Sequence, residues 1–445
     1  MNPAAPVAFP RVREDGLVTI GSLLLGAAAL LAVHFGLLHT YWEYSEGVYA
    51  LTAHEILHGG DLYGHIVGAQ PPGVFLAGVA VLAVHDGLEW LRLAVACLQL
   101  GAGLIGARIV YRLSGSTVGA MLAAVAMLLT PWAVREHGAL TPELIAVPVM
   151  LGAALLAGDA RRGGWAGALC GLLVLIKFPL AIPAVVVVAL AADRRRAALA
   201  AVAVVVAGLA VTWLLAGGEF WRDTVLAQLR TGSRGLGSLG GYWAQAGWNI
   251  IGLIVCAAAA VVLRAQAQAP RLLTIMTALV VANLITLLTN VKQGTSLDVT
   301  VPVEASLVPL AVCGTVFALR AARRRPVAGT RVAAAACVVA LLFTLAQTVS
   351  LFASPSHPVP FLRAFSAPAW GTLLSAAQFD AAVRAARACP PGQAYGGPPL
   401  VAFAAGRSVP DDQPDQFLTS HSSTLAAVRA RISAVAPVCP GPVSQ

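Results

Sequence analysis

Ionisable side chains are scarce in this chain, and the few equipped for chemistry fall together. One stretch, YWEYSEGVYALTAHEILHGGDLYGHIVGAQPPGVF from Tyr41 to Phe75, carries Glu43, Glu46, Glu55 and Asp61, in a chain with only 20 acids in 445 residues. A carboxylate at the head of such a stretch can take a proton from an attacking hydroxyl. Of the 29 basic residues only Lys177 and Lys292 are lysines. With Arg135 they are the cations best placed to hold an anionic group and to stabilise one that departs. Snorkelling of these cations to lipid headgroups is the competing account. Lys177 favours the first account, because a charge in a tight turn between short apolar segments is costly unless it faces a polar cavity.

A second pattern in the same stretch is His54-Glu55-Ile56-Leu57-His58, which fits the H-E-x-x-H spacing of zinc metalloproteases. His65 or Asp61 could complete such a site. The segment reads as a surface helix, however, where an intramembrane protease needs a buried one, so ordinary surface histidines and no metal at His54 and His58 are expected. The Gly-rich run 231–241 lacks the strand–helix context of a phosphate loop and is expected to be a mobile outer loop. Tyr242, Trp243 and Trp248 beside it read as interface anchors.

The elements that position these residues follow from composition. The chain is 58% hydrophobic and 11% charged, with a mean hydropathy of +0.79. Soluble domains carry roughly 25% charged residues, so this surface belongs in lipid. The expected fold is an all-α polytopic membrane protein. Its eleven candidate spans are Leu17–Thr40, Leu88–Ala107, Ser116–Val134, Pro142–Gly158, Gly164–Ile176, Leu180–Ala192, Ala197–Ala216, Ala244–Leu263, Leu272–Thr289, Val299–Leu319 and Val332–Ala353. Val74–Val84 is too short to cross and reads as interfacial or re-entrant. With the amino terminus in the cytoplasm, 16 of the 29 basic residues then fall in short inner loops, against four acids; counting Val74–Val84 as a span would invert this. The net charge of +9 is thereby a matter of topology, and no nucleic-acid partner is expected.

Within the first outer loop, residues 41–87, Val48, Leu51, Glu55 and His58 recur at helical spacing, and Gly59 and Gly60 end the helix. Residues 1–353 form the membrane domain, and residues 354–445 read as a small soluble extracytoplasmic domain with helices near 375–387 and 422–435. Cys97, Cys170, Cys256, Cys313 and Cys337 lie in spans. Cys389 and Cys439 are the only two in the tail, and on an oxidising face they favour a disulfide.

The run E-G-x-Y-x-x-x-A-x-x-I-L-x-G-G-x-L-Y from Glu46 to Tyr63, followed by Gln70-Pro-Pro-Gly, resembles the first outer loop of the C-type glycosyltransferases. The likeness is to bacterial family-39-like membrane proteins, related to protein O-mannosyltransferases and the lipid A aminoarabinose transferase. GALTPE ending at Glu143 resembles a second acidic position, and KQGTSLDVTVPVEASLVPLA from Lys292 a late span that carries an acid, here Glu304. PPLVAFAAGRSVPDDQPDQF is similar to extracytoplasmic tails in some members. The family usually reads Asp-Glu at the head of the loop, where this chain has Ser45-Glu46, so either Glu43 substitutes from the preceding turn or catalysis is altered or lost.

The resemblance implies transfer of a sugar from a polyprenyl-phosphate donor to an extracytoplasmic glycan, lipid or protein acceptor. It implies catalytic Glu46, Glu43 and Glu143, with donor or phosphate contacts at Lys177, Arg135, Lys292, Tyr49, Tyr63 and Gln70. No cofactor is expected as certain; a divalent metal ion is one option, since some members of the superfamily use one. The expected location is the plasma (inner) membrane of a bacterium, crossed many times. A transporter or lipid-carrier flippase, and a non-catalytic glycan- or lipid-binding protein, are the alternatives. The concentration of polar residues in outer loops, with no visible repeat, favours the enzyme over a transporter.

Overall fold

The computed structural model describes residues 11–37, 40–42, 44–292, 297–353, 373–435 and 438–440. The protein is a bundle of apolar helices, and each of the eleven expected segments contains a helix. In chain order they are α1 (Arg11–Leu37), α4 (Leu88–Ser114), α5 (Thr117–Leu128), α7 (Pro142–Ala157), α8 (Gly163–Ile176), α9 (Ala181–Leu190), α10 (Arg194–Ala216), α12 (Leu236–Val262), α13 (Pro270–Thr286), α14 (Val301–Arg324) and α15 (Ala328–Ala353). Six stretches among the described residues are long and apolar enough to cross a membrane alone: Gly16–His34, Leu88–Ser114, Arg194–Ala216, Pro270–Thr289, Asp298–Arg324 and Ala328–Val349. Large apolar side chains such as Leu214, Leu215 and Val262 point outward, as a lipid-facing surface requires.

Helix α14 is the axis of the bundle. It is buried almost throughout and packs against α4, α5, α7, α12, α13 and α15. The expected span Ser116–Val134 is divided. Thr130 ends α5's run, accepts a hydrogen bond from Ala133 and starts the short α6 (Pro131–Arg135). Proline at N1 supplies no N–H to the preceding turn, so the chain breaks there. The Gly-rich run is likewise not a loop throughout, because α12 already begins at Leu236.

The first loop contains β1 (Thr40–Trp42), α2 (Ser45–Leu57) and α3 (Pro72–Leu82), and α2 and α3 pack on one another. After α10 the chain forms α11 (Glu219–Trp221) and a π-helical turn, Arg222–Ala227. The tail holds β2 (Leu373–Ser375), α16 (Ala376–Arg387), α17 (Pro399–Ala405), α18 (Gln416–His421) and α19 (Ala426–Ala434). It shares its core with the first loop. Strand β2 pairs antiparallel with β1, Thr40 opposite Ser375. Helix α17 lies on α2 at Gly47, where a side chain would come within 2.8 Å of Leu400 Cα and closer still to its nitrogen. Cys389 and Cys439 are bonded, with Cα atoms 5.9 Å apart.

Candidate active site

Helix α2 runs from the head of the first loop with residues Glu46 through Ala53 buried. Both oxygens of Glu46 are held by Arg92 of α4, at 2.7 Å from Nε and 2.6 Å from Nη2, and the glutamate is 0% exposed. The expected carboxylate at an open cavity mouth is here closed off: with both oxygens on a guanidinium and no exposure, Glu46 joins α2 to α4. Glu43 lies outside the described residues.

Glu143 faces a lysine. Thr141 caps α7 through the Leu144 amide and Pro142 occupies N1, which sets Glu143 in the first helical turn, buried. Its Oε1 is paired with Nζ of Lys177. Lys177 sits where α8 ends, in extended backbone before Pro179. The turn is held in place by Gly73 of the Gln-Pro-Pro-Gly motif, whose missing side chain would meet the Leu175 carbonyl at 2.6 Å. Burial lowers the Lys177 ammonium, but the Glu143 and Asp298 carboxylates outweigh it, so the lysine holds its proton more tightly than in water.

Asp298, buried just before α14, joins this group, since its charge acts on Glu143, Lys177 and Tyr49. Glu136, between α6 and α7, is buried, and burial followed by Asp298 pushes its carboxyl well above the usual range; Arg135 opposes this, while Glu143 and Glu46 add to it. These effects bring Glu46, Glu136, Glu143 and Asp298 into one electrostatic neighbourhood. Arg135 also lies over the Trp132 ring, 4.6 Å from its centroid. Lys292 approaches from the end of α13. Burial lowers its ammonium to about 8, Asp415 resists the fall, and Lys177 and Arg234 assist it. The charge of Lys177 is therefore felt at Lys292.

Three expected site residues have defined positions in the loop. Tyr49 is buried against Phe75, and its phenol is raised well above the usual value by burial, then by Glu143, Asp298 and Asp415, while the Gln70 side chain opposes the shift. Tyr63 has a left-handed backbone (φ 71°), donates from its hydroxyl to the Gln70 carbonyl at 2.7 Å and meets Phe220 edge-on. The bond ties the two ends of the 63–70 segment together. Glu304 accepts a hydrogen bond from the Trp132 amide at 3.1 Å and so fastens α6 to α14. His54 and His58 lie outside this cluster, on the carboxy-terminal turn of α2.

The tail docks on the first loop. Tyr44 donates to Asp415 Oδ1 at 2.8 Å and accepts from the Phe417 amide at 2.6 Å; Gln413 accepts from the Val67 amide and donates to the His65 carbonyl. Arg92, Glu136, Asp298 and Asp415 were not singled out from sequence. Asp298 stands six residues after Lys292 in the quoted late-span segment, the one signal that could have found it.

No protein-family model matches this chain, and no curated protein matches it. Two solved structures of ArnT from Cupriavidus metallidurans resemble it. One, bound to undecaprenyl phosphate, superposes with a TM-score of 0.58; the other, in the apo state, with 0.60. In each case identity is 16%, over 94% of this chain and 88% of the other. Across nearly its whole length, the chain has the fold of the membrane protein ArnT.

Proposed function

We propose that this protein transfers a sugar from a polyprenyl-phosphate donor to an acceptor hydroxyl at the extracytoplasmic face of a bacterial plasma membrane, with its amino terminus in the cytoplasm. The observation that carries this reading is the buried Glu143–Lys177 pair beside Asp298 and Lys292, where the polar parts of α7, α8, α13 and α14 converge. A solved neighbour of the same fold binds undecaprenyl phosphate, which supports a lipid phosphate as ligand.

The resting pair suggests an exchange of partners. An arriving phosphodiester draws Lys177 away from Glu143, with Lys292 as the second cation. Glu143 is then free to accept the acceptor's hydroxyl proton. The hydroxyl oxygen bonds to the anomeric carbon, the bond from that carbon to the phosphate oxygen breaks, and its electron pair leaves with the lipid phosphate, which the lysines stabilise. The configuration at the anomeric carbon inverts.

The test is release of polyprenyl phosphate by purified protein supplied with polyprenyl-phosphate sugars and an acceptor hydroxyl. Turnover that survives Glu143→Gln would remove the proposed base. A non-catalytic lipid- or glycan-binding role is favoured by Ser45 and by the sealing of Glu46 with Arg92. Saturable donor binding without turnover would establish that role instead.

A further inference from the structure

We propose that His54, His58 and Asp86 form a binding site for a zinc-class divalent transition-metal ion, separate from the candidate active site. His54 and His58 stand one turn apart on α2, with ring centroids 4.2 Å apart. Asp86 lies in the turn between α3 and α4. His54 Nδ1 is 3.0 Å from Asp86, and His58 Nε2 is 3.8 Å from Asp86 Oδ2. The three donor atoms all lie within 4.8 Å of one another. Tetrahedral zinc, with bonds near 2.0–2.1 Å, spaces its donors about 3.3 Å apart, so rotamer shifts of at most ~1.5 Å would close the set.

Two details favour an ion over a chance grouping. His58 Nδ1 is 2.8 Å from the His54 carbonyl, which can only accept, so that nitrogen carries the ring proton. In the neutral ring this leaves the Nε2 lone pair facing a carboxylate oxygen, an arrangement that needs a cation between them. A backbone carbonyl that fixes the tautomer of a ligating histidine is the usual outer support of a metal site. The side chains are also reachable, at 28%, 55% and 35% exposure for His54, His58 and Asp86. Two imidazoles and one carboxylate suit zinc, cobalt, nickel or copper; calcium and magnesium prefer all-oxygen sets. Bound there, the ion would tie the carboxy-terminal end of α2 to the α3–α4 turn, a second link beside the Glu46–Arg92 contact of α2 with α4.

The experiment is calorimetric titration of tag-free, chelator-treated full-length protein in detergent with zinc chloride, alongside magnesium chloride. The parent is expected to bind about one zinc per chain at this site and to ignore magnesium. His54→Ala/His58→Ala loses that event, Asp86→Asn weakens it about tenfold or more, and His65→Ala leaves it unchanged. Zinc should raise the unfolding temperature of the parent but not that of the double variant. If only a proton fills the gap, the parent binds no zinc here, and the proposal is overturned. Equal zinc binding by parent and double variant overturns it too. Neither result bears on sugar transfer, which is tested separately.

Discussion

Replacing Glu46 by glutamine separates an anchor from a base. The amide keeps the shape of the side chain but removes the Glu46 charge from beside the Arg92 guanidinium, 6% exposed. Removing one partner of a buried ion pair costs about 3–5 kcal/mol. Because a glutamine oxygen still accepts one of the two N–H bonds, the lower end applies, about 3 kcal/mol. Replacing both partners by apolar residues of similar volume, Glu46→Leu with Arg92→Met, removes both charges, and such exchanges are often neutral or stabilising. The cycle is read by unfolding the purified protein in mixed micelles, with the parent, both single variants and the pair. The expected pattern is two destabilised singles and a double that recovers most of the loss. If Glu46→Gln unfolds within about 0.5 kcal/mol of the parent, as innocuous substitutions do, the anchoring argument fails. Were such a protein to lose sugar transfer entirely, Glu46 would return as the base.

Four further outcomes are expected. Lys177→Met with Glu143→Gln should fold, since neither charge is left alone, yet lose turnover; Lys177→Met by itself strands a buried carboxylate and should lower the yield of folded protein as well. Lys292 loses its proton near pH 8, so donor KM should rise as pH passes through that value, and Lys292→Met should flatten the profile. Its proton is held more weakly in the folded chain than at the unfolded value near 10.5, so folding stability moves the opposite way, rising with pH between about 8 and 10. Gly47→Ala should force α17 off α2 and cost more than about 1 kcal/mol in the same unfolding assay, a loss no helix-propensity gain offsets. For topology, cysteines placed at Arg161 and Arg195 should resist an impermeant thiol reagent in intact cells, while one at Ser420 should react; the reverse pattern would invert the proposed orientation.

Hydropathy and charge made the helices legible, because lipid forbids long polar stretches and each apolar run has one outcome. Where one run became two pieces, at Thr130-Pro131, the cause was local chemistry inside a continuous apolar segment, which a window average smooths over. The cations Lys177 and Lys292 were legible for the same reason: a lone charge among apolar residues is conspicuous. Arg92 was not, because it sits among the charges and aromatics at the start of α4 and only the folded chain shows that it meets Glu46. Asp415 was hidden further, since its partner Tyr44 is 371 residues away and nothing in either neighbourhood announces the other.

The pairing of β1 with β2 also sets an order of assembly. Thr40 emerges early in synthesis and Ser375 late, so the head of the first loop has no strand partner until the helices between them have been inserted. Loop-closure entropy for so long a separation would ordinarily be slow to overcome. Here the intervening helices are already confined to a membrane plane, which brings the two ends near one another before they pair. Gly47 and Tyr44 then receive α17 and Asp415 as the last pieces to dock. The nascent protein would therefore complete the contacts between its first loop and its tail only at the close of biogenesis.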